Sequence, residues 1–374
     1  YIDGNPLDAG WYHPLEFTEL WRTRLQPGFL SVQSFPSAPT LPPVLLDDGS
    51  AVLTLGDQLV SYMDGVERWR ISLGNIATGL LGLSEGRVAA LARGGQAFTL
   101  QNGRFVGAWQ VDALEISPVA VAGSAGEALV FATEGGGLTA FTPTGAPLWT
   151  IPALDGEQAA PRVLSLQASG PEVALVVRAA DGPVLRLIRN GALAADLPLR
   201  DPALLEPLSG GGWLLVDGST VDKLIDGQRI PFAPLERTPG RGSHITDDLA
   251  GSVYLFSAGG TPTLTAFDSI GAARWQIDVP RVRTGLAPLL AVGGGCLVYT
   301  LDADGALRAY LAADGTLAAE RALYPGGNQS GSPRARLLLA SPSDVLTVGA
   351  GFLSAARFDG LQLANGAAAD CRLG

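Results

Sequence analysis

The chain contains few of the residues that build most catalytic and metal sites. It has only 2 histidines and 2 cysteines in 374 residues, which is too few for a histidine-based zinc site. Its glycine runs, at residues 135–137, 210–212 and 293–295, contain no Gly-Lys-Ser/Thr sequence, so they do not form phosphate-binding loops. We therefore predict no catalytic residue, no cofactor and no metal ligand, and we interpret the protein as a non-enzyme.

Positive charge is scarce as well. Lysine and arginine total 25 against 36 aspartates and glutamates, which gives a net charge of −11, and Lys223 is the only lysine. Nucleic-acid binding requires a basic surface that displaces counterions, so we exclude nucleic acid as a partner. The chain also has no uninterrupted apolar run of about 18 to 20 residues, the length of a membrane span. We predict no transmembrane segment, which leaves peripheral association with a membrane open.

Glycine and proline are abundant instead, with 49 and 26 residues spread along the whole chain. This distribution is typical of many short strands joined by tight turns. One glycine recurs every 36 to 46 residues, which is close to the roughly 40 to 50 residues of a four-stranded propeller blade. The recurring glycines are Gly65, Gly103, Gly145, Gly191, Gly227, Gly271, Gly315 and Gly360.

The same local sequence surrounds most of these glycines. The clearest copy contains Leu264, Ala266, Phe267, Gly271 and Trp275. Leucine and alanine alternate there with threonine and phenylalanine, which places apolar residues on both faces of a strand. A second apolar run precedes every copy, at residues 51–55, 88–92, 128–132, 173–177, 213–216, 253–256, 297–301 and 344–348.

The copy at residues 264–275 resembles the repeat of the quinoprotein-type, PQQ-like β-propeller family, and the resemblance covers residues 18–365. It is similar also to the non-enzymatic propeller lipoprotein of the bacterial outer-membrane assembly machinery. The resemblance implies an all-β fold with a single eight-bladed propeller of four-stranded blades, and seven blades are the alternative. Quinoprotein enzymes of this family cap their cofactor with a disulfide between adjacent cysteines. Cys296 and Cys371 are not adjacent, so we expect no quinone cofactor.

The ends of the chain predict how the ring closes. Trp21 lies in a segment that resembles the tryptophan strand of the repeat, but no leucine-aromatic-glycine segment precedes it. We predict that this segment forms the outer strand of the last blade and leaves no open edge. The predicted organisation is an N-terminal extension (1–17), a β-propeller (18–365) and a C-terminal tail (366–374).

The tryptophans of the repeat are interpreted as blade-docking residues, because a buried indole removes a large apolar area from water. These residues are Trp21, Trp69, Trp109, Trp149 and Trp275. Trp11 and Trp213 are out of register with the repeat; they are candidates for binding a glycan or small ligand in the central channel, although a packed core position is preferred for Trp213. For Cys296 and Cys371, a disulfide between them and two free thiols both remain open.

His244 lies in the polar segment 236–248, close to Ser243 and Asp247. A catalytic Ser/His/Asp set is defined by three-dimensional geometry, which neighbours in one loop rarely satisfy. We therefore interpret His244 as a solvated loop residue.

Loops on a rigid frame are where recognition concentrates. The candidate contact segments are residues 26–43, 236–248 and 324–336, together with the N-terminal arm. We predict a protein–protein interaction scaffold, a subunit or accessory of an exported or membrane-associated bacterial assembly whose partners are other envelope proteins. A degenerate quinoprotein-like enzyme or a glycan- or small-ligand-binding propeller is the alternative.

The chain begins with Tyr1 rather than methionine. An exported precursor that has lost its signal peptide would begin in this way, and so would an artificially trimmed chain. We predict a periplasmic or cell-surface location, with or without a lipid anchor acquired through a processed precursor.

Overall fold

The computed structural model describes most of the chain. The described residues are 17–25, 41, 43–123, 126–154, 162–200, 203–240, 242–248, 250–258, 261–279, 289–293, 297–301, 306–322, 336–339, 344–349, 352–358, 361–363 and 371–373. Within them the fold is built from β-strands, with two single 3-10 turns at Ser84–Gly86 and Glu134–Gly136.

Eight four-stranded antiparallel sheets, numbered here as blades 1 to 8, contain all but two of the described strands. The first strand of the chain, β1 (Phe17–Arg24), belongs to the last blade. Blade 1 contains β2 (Val44–Leu45), β3 (Ala51–Leu55), β4 (Gln58–Met63) and β5 (Val66–Ser72). Blade 2 contains β6 (Ala77–Gly82), β7 (Arg87–Ala92), β8 (Gln96–Gln101) and β9 (Arg104–Gln110). Blade 3 contains β10 (Val119–Gly123), β11 (Gly126–Ala132), β12 (Leu138–Phe141) and β13 (Pro147–Ile151).

Blades 4 to 8 continue the same order. Blade 4 contains β14 (Arg162–Ser169), β15 (Glu172–Ala179), β16 (Gly182–Arg189) and β17 (Ala192–Pro198). Blade 5 contains β18 (Ala203–Pro207), β19 (Trp213–Asp217), β20 (Thr220–Ile225) and β21 (Gln228–Pro234). Blade 6 contains β22 (His244–Asp247), β23 (Val253–Ser257), β24 (Thr263–Phe267) and β25 (Ala273–Asp278). Blade 7 contains β26 (Leu289–Gly293), β27 (Leu297–Leu301), β28 (Ala306–Leu311) and β29 (Leu317–Ala322). Blade 8 contains β30 (Arg336–Leu339), β31 (Asp344–Gly349) and β32 (Phe352–Phe358), and β1 is its fourth strand. In the sequence, one apolar run precedes each copy of the repeat. These eight runs form the second strands of the eight blades.

The first strand of each blade lies on the inside of the ring. First strands of successive blades contact one another, for example β14 with β18, β18 with β22, and β22 with β26. Because every blade is an up-and-down sheet, its fourth strand then lies at the outer edge. The first strands therefore line the central channel.

The apolar core is divided between the blades, as the alternation in the repeat predicts. In β24, Leu264 and Ala266 pack toward blade 7, whereas Phe267 packs toward blade 5. The described residues form seven such clusters, each containing residues of two adjacent blades. Among the described residues, blades 1 to 6 thus bury both faces and depend on their neighbours for stability.

The N-terminal strand closes the ring as predicted. β1 pairs with β32 in antiparallel register, with Trp21 opposite Ala355. The eighth sheet is thereby completed to four strands, which decides the blade count in favour of eight. Beyond it, β33 (Leu361–Leu363) pairs with β34 (Cys371–Leu373) in a separate two-stranded sheet.

Alternating strand direction divides the connections between two faces of the ring. We call the "loop face" the side that carries the links between blades and the turns between second and third strands. The "turn face" carries the turns between first and second strands and between third and fourth strands. The candidate segments 26–43 and 324–336 connect one blade to the next, and segment 236–248 contains such a link between blades 5 and 6. The strand ends that flank these three links therefore lie on the loop face. Phe17, where β1 begins, lies on the turn face opposite Phe358.

Candidate functional site

The repeat tryptophans of the fourth strands lie against the glycine turns of the next blade. Gly103 has φ +72°, and a Cβ atom added there would lie 2.8 Å from Cγ of Trp69. A side chain is therefore excluded where the indole packs. Equivalent contacts, called Trp–Gly contacts below, join Trp21 to Gly65, Trp109 to Gly145, Trp149 to Gly191 and Trp275 to Gly315.

The boundary between blades 4 and 5 is built differently. The nearest atom to a Cβ at Gly227 would be Cβ of Ala195, at 3.7 Å. Trp213, in the second strand of blade 5, is instead fully buried, and its Nε1 donates a 3.1 Å hydrogen bond to Oε2 of Glu172. Arg189 forms an ion pair with Glu172, and its Nη2 atom lies 2.6 Å from Oδ1 of Asp226 in the next blade. A buried indole and a chain of charges thus join these two blades.

The boundary between blades 5 and 6 uses the only lysine of the chain. Nζ of Lys223 lies 4.0 Å from the centre of the Phe232 ring, and its distance to the carbonyl oxygen of Ser269 in blade 6 is 3.5 Å. The Phe232 ring in turn contacts Phe267 edge to face. Lys223 occupies a position where the other copies carry smaller residues such as Ser61. A cation–π contact therefore accompanies the apolar packing at this boundary.

Blades 4 to 6 also differ from the others at the central channel. One level of the first strands is defined by its pairing with the equivalent residue of each second strand, namely Val52, Ala89, Val130, Ala174, Leu214, Tyr254, Tyr299 and Leu346. At this level the first strands carry Gln167, Glu206 and Thr246 in blades 4, 5 and 6. The same level carries only apolar residues elsewhere, namely Val44, Leu81, Val119, Ala291 and Leu338. Three consecutive blades therefore place polar groups on one arc of the channel.

Glu206 is the charged member of this arc. Burial raises the pKa of its carboxyl group to about 7, because few waters remain to solvate the charge. The Oε1 atom of Gln167 is buried and has no hydrogen-bond partner. The arc is thus a poorly solvated polar region at a level where the other first strands carry apolar residues.

An apolar side chain is exposed where blade 4 lines the mouth of the channel. The pairing of β14 with β15 shifts between Val163 and Ser165, so Leu164 is the extra residue of a β-bulge. Its side chain is 44% exposed. Arg162 and Arg178, which are paired across the same two strands, are also exposed. A bulge commonly redirects one side chain out of a sheet, and here it presents a leucine on the loop face.

Blade 4 is long and well supported at this end. Its first three strands contain 8 residues each. The buried Arg186 donates hydrogen bonds to the carbonyl oxygens of Gly136 at 2.9 Å and Pro152 at 3.0 Å, both from blade 3 and the link that follows it. Leu164 is therefore presented by a rigid element rather than by a long loop.

A polar groove of about 520 Å³ lies between blades 5 and 6 and opens on the loop face. Its floor consists of the cross-strand rows Ser257–Thr263–Asp278 and Leu255–Thr265–Gln276, followed by Phe267 and Ala273. Residues 234–238 form its wall, with Glu236 and Arg237 exposed. Hydroxyl groups and carboxylates dominate the part of the groove nearest the loop face.

One expectation about this region is wrong. His244 begins strand β22, where it pairs with Phe256, and it is half-buried rather than a solvated loop residue. The side chains that follow are held in the fold, since Asp247 accepts hydrogen bonds from Ser209 and Asp248 accepts one from the hydroxyl of Tyr254. A strand of only four residues within a polar stretch leaves too short a pattern to be recognised from sequence.

Several candidates fall outside the part of the chain that the structure describes. They are Trp11 and the rest of residues 1–16, most of 26–43, residues 324–335, Gly360 and Cys296. The backbone of Cys371 lies in β34, opposite Leu363. Whether Cys296 and Cys371 form a disulfide stays a prediction.

The described residues do not fit a quinone stacked on a tryptophan in the channel. None of the described tryptophans lies on a first strand, and Trp213 is fully buried between blades. No group of three or more histidine, cysteine, aspartate or glutamate side chains suited to a metal ion is present among the described residues. Searching the same residues for a helix able to cross a membrane also finds none.

The described sheets and their order define an eight-bladed β-propeller. Residues 17–186 match the family model described as outer membrane protein assembly factor BamB, which confirms the resemblance seen in the repeat. No curated protein sequence matches the chain.

Solved structures share the fold at low sequence identity. BamB from Moraxella catarrhalis is similar with a TM-score of 0.62 and 16% identity, over 91% of this chain and 100% of that chain. A quinohemoprotein alcohol dehydrogenase from Pseudomonas putida HK5 has a TM-score of 0.60 and 11% identity, over 93% of this chain and 77% of that chain. The computationally designed protein Ika8 has a TM-score of 0.61 and 14% identity, over 91% of this chain and 99% of that chain.

Proposed function

We propose that the protein is a non-catalytic scaffold that holds a partner protein on its loop face. In this proposal it is a subunit or accessory of an exported, envelope-associated bacterial assembly. The observation that carries the proposal is Leu164, a 44% exposed leucine on a bulge of a rigid inner strand. An apolar anchor between exposed arginines is a typical centre for a protein interface.

The comparisons support the setting of this scaffold. The family model that matches residues 17–186 describes an outer membrane assembly factor, and propellers present their loops on a rigid ring. The candidate segments 26–43, 236–248 and 324–336 all include a link that leaves and re-enters the ring on the same face as Leu164.

The test compares two leucines of blade 4. Leu164 and Leu193 are both 44% exposed, but Leu193 lies in the outer strand β17. The tagged chain is captured from native envelopes, and co-purifying proteins are quantified by mass spectrometry. We expect Leu164→Ser to reduce recovery of a stoichiometric partner by at least about tenfold, as for an interface hot spot, and Leu193→Ser to leave it unchanged.

A quinoprotein-like enzyme is the second candidate, because a quinohemoprotein alcohol dehydrogenase shares the fold with a TM-score of 0.60. The same preparation is therefore assayed for binding of PQQ with calcium and for oxidation of alcohols and sugars. A monomer without partners that binds PQQ would overturn the scaffold proposal. Equal loss of partner in both leucine variants would remove Leu164 as the anchor.

A further inference from the structure

The groove between blades 5 and 6 has walls that are fixed before any ligand arrives. The backbone N–H of Leu235 donates to the carbonyl oxygen of Ser219 at 2.8 Å, which ties the start of the wall to blade 5. The N–H of Gly240 donates to the carbonyl oxygen of Ala258 at 2.8 Å, which ties its end to blade 6. A ligand would therefore lose little affinity to ordering of this segment.

The floor of the groove repeats along one strand. Thr263, Thr265 and Phe267 alternate with residues on the other face of β24, so successive groove-facing side chains are about 7 Å apart. An extended polypeptide has the same two-residue period. A chain lying along β24 would meet two hydroxyl groups and then an apolar position at matching intervals.

The polar groups of the floor suit a peptide backbone. The hydroxyl of Thr265 donates to Oε1 of Gln276 at 3.2 Å, and its oxygen can still accept a further hydrogen bond. Hydroxyl and amide side chains both donate and accept, which matches the alternating N–H and C=O groups of an extended chain. The volume of about 520 Å³ lies in the range of ligand sites.

Charge is unevenly placed along the groove. Asp278 and Glu236 are exposed where the groove opens on the loop face, and Arg237 is the only basic residue among its lining. Further in, the exposed apolar residue is Ala273, whose strand partner Phe267 is buried. A basic side chain is therefore favoured at the loop face, and a small apolar one deeper in the groove.

We propose that this groove binds an extended segment of a partner protein, with a lysine or arginine beside Asp278 and a small apolar residue about four positions away against Ala273, the strand partner of Phe267. The spacing follows from the four residues that separate Thr263, which is paired with Asp278, from Phe267 on β24. This inference rests on the proposed scaffold function and adds a second site to it. The site is separate from Leu164, which lies in blade 4.

The experiment uses the full chain and an array of acetylated, amidated hexapeptides in a positional-scanning library. We expect selection of Lys or Arg at one position and of Ala or Val four positions away. Binding of the selected peptide should fall about fivefold in Asp278→Asn, the range of an exposed charge pair, and about three- to tenfold in Thr265→Val, which loses a hydroxyl partner. Asp314→Asn removes the same charge from the turn face and should change nothing.

Other outcomes would overturn the inference. These are a library with no positional preference, a preference for acidic residues, or equal effects of Asp278→Asn and Asp314→Asn. Saccharide binding on a glycan array without peptide selection would assign the groove to a different ligand. The capture test with Leu164→Ser is independent of these variants, so failure of the groove and failure of the scaffold function give different results.

Discussion

The blade boundaries fall into two kinds, and the contrast shows how a repeat protein can vary its sequence without opening its ring. Blades 1 to 4 are joined to their predecessors by Trp–Gly contacts, as is blade 7. The 4–5 boundary has a buried Trp213 with a charge chain instead. At the 5–6 boundary Phe232 packs against Phe267, and Lys223 lies over Phe232 and close to the carbonyl oxygen of Ser269. Each boundary needs a large buried contact, but the contact does not need to come from the same position of the repeat.

The divergent boundaries surround the candidate functional features. Leu164 lies in blade 4, Glu206 in blade 5, and the polar groove between blades 5 and 6. The family model ends at residue 186, within blade 4. Blade 5, whose turn at Gly227 does not lie against an indole, departs from the repeat in the same region where polar groups enter the channel and the groove.

The largest expected effect comes from removing the indole at the 4–5 boundary. Trp213→Ala should lower the free energy of unfolding by about 3 to 5 kcal/mol, because it opens a cavity at a fully buried site. Urea denaturation measures the change in unfolding free energy, with the far-UV circular dichroism of the backbone as the signal, so that the readout does not rely on tryptophan. Trp213→Phe is the control that keeps most of the volume and removes the hydrogen bond to Glu172. A loss below about 1 kcal/mol in Trp213→Ala would show that this boundary does not depend on the indole.

A pair of glycine substitutions separates the two kinds of boundary. Gly103 and Gly227 have similar φ angles of +72° and +77°, but only Gly103 lies against an indole. Both alanine variants should lose about 1 to 2 kcal/mol for the left-handed backbone. The free energy of unfolding of Gly103→Ala should fall by roughly a further 1 to 3 kcal/mol, because Trp69 must move to make room for the methyl group.

The same denaturation measurement checks this difference and, with it, the blade-docking role predicted for the tryptophans. In a Trp69→Ala background the extra cost at Gly103 should disappear, as expected when two substitutions affect one contact. Equal costs at Gly103 and Gly227 in the wild-type background would argue against that role for Trp69.

A smaller, pH-dependent effect is expected at Glu206. Its pKa in the folded protein is raised to about 7, above the value near 4.3 of an unfolded chain. The folded state therefore binds the proton more tightly, and this stability is full below about pH 4 and is lost as the pH rises through 7. At pH 8, Glu206→Gln should be more stable than the wild type by of order 2 kcal/mol, and the gain should vanish near pH 4.

Thermal and urea unfolding at both pH values measure this gain. Gln167→Leu, at the same level of the channel, is the control, since it changes no titratable group and its effect should not vary with pH. A pH-independent effect of Glu206→Gln would mean that the carboxyl group is well solvated in the folded protein.

Much of the fold could be predicted from the repeat. The seven recurring glycines that the structure describes, the second strands and the closing strand at Trp21 all lie where the sequence places them. They could be predicted because each blade is a local unit whose strands are joined by short turns. Leu164 could not, because a bulge adds one residue to a strand without changing its composition. Glu206 left a faint signal, as the charged residue within an apolar stretch at residues 203–208.

The sequence by itself determined the four-stranded blade and predicted the closure of the ring, because hairpin turns and alternating apolar residues act over about 40 residues. The structure then decided between eight blades and seven. Only the tertiary structure decided which side chains meet across a boundary, such as Trp213 with Glu172 or Phe232 with Phe267. It also decided that the long links share one face with Leu164 and the groove. These partners are brought together by the packing of separate blades, and the periodicity of a single strand carries no information about them.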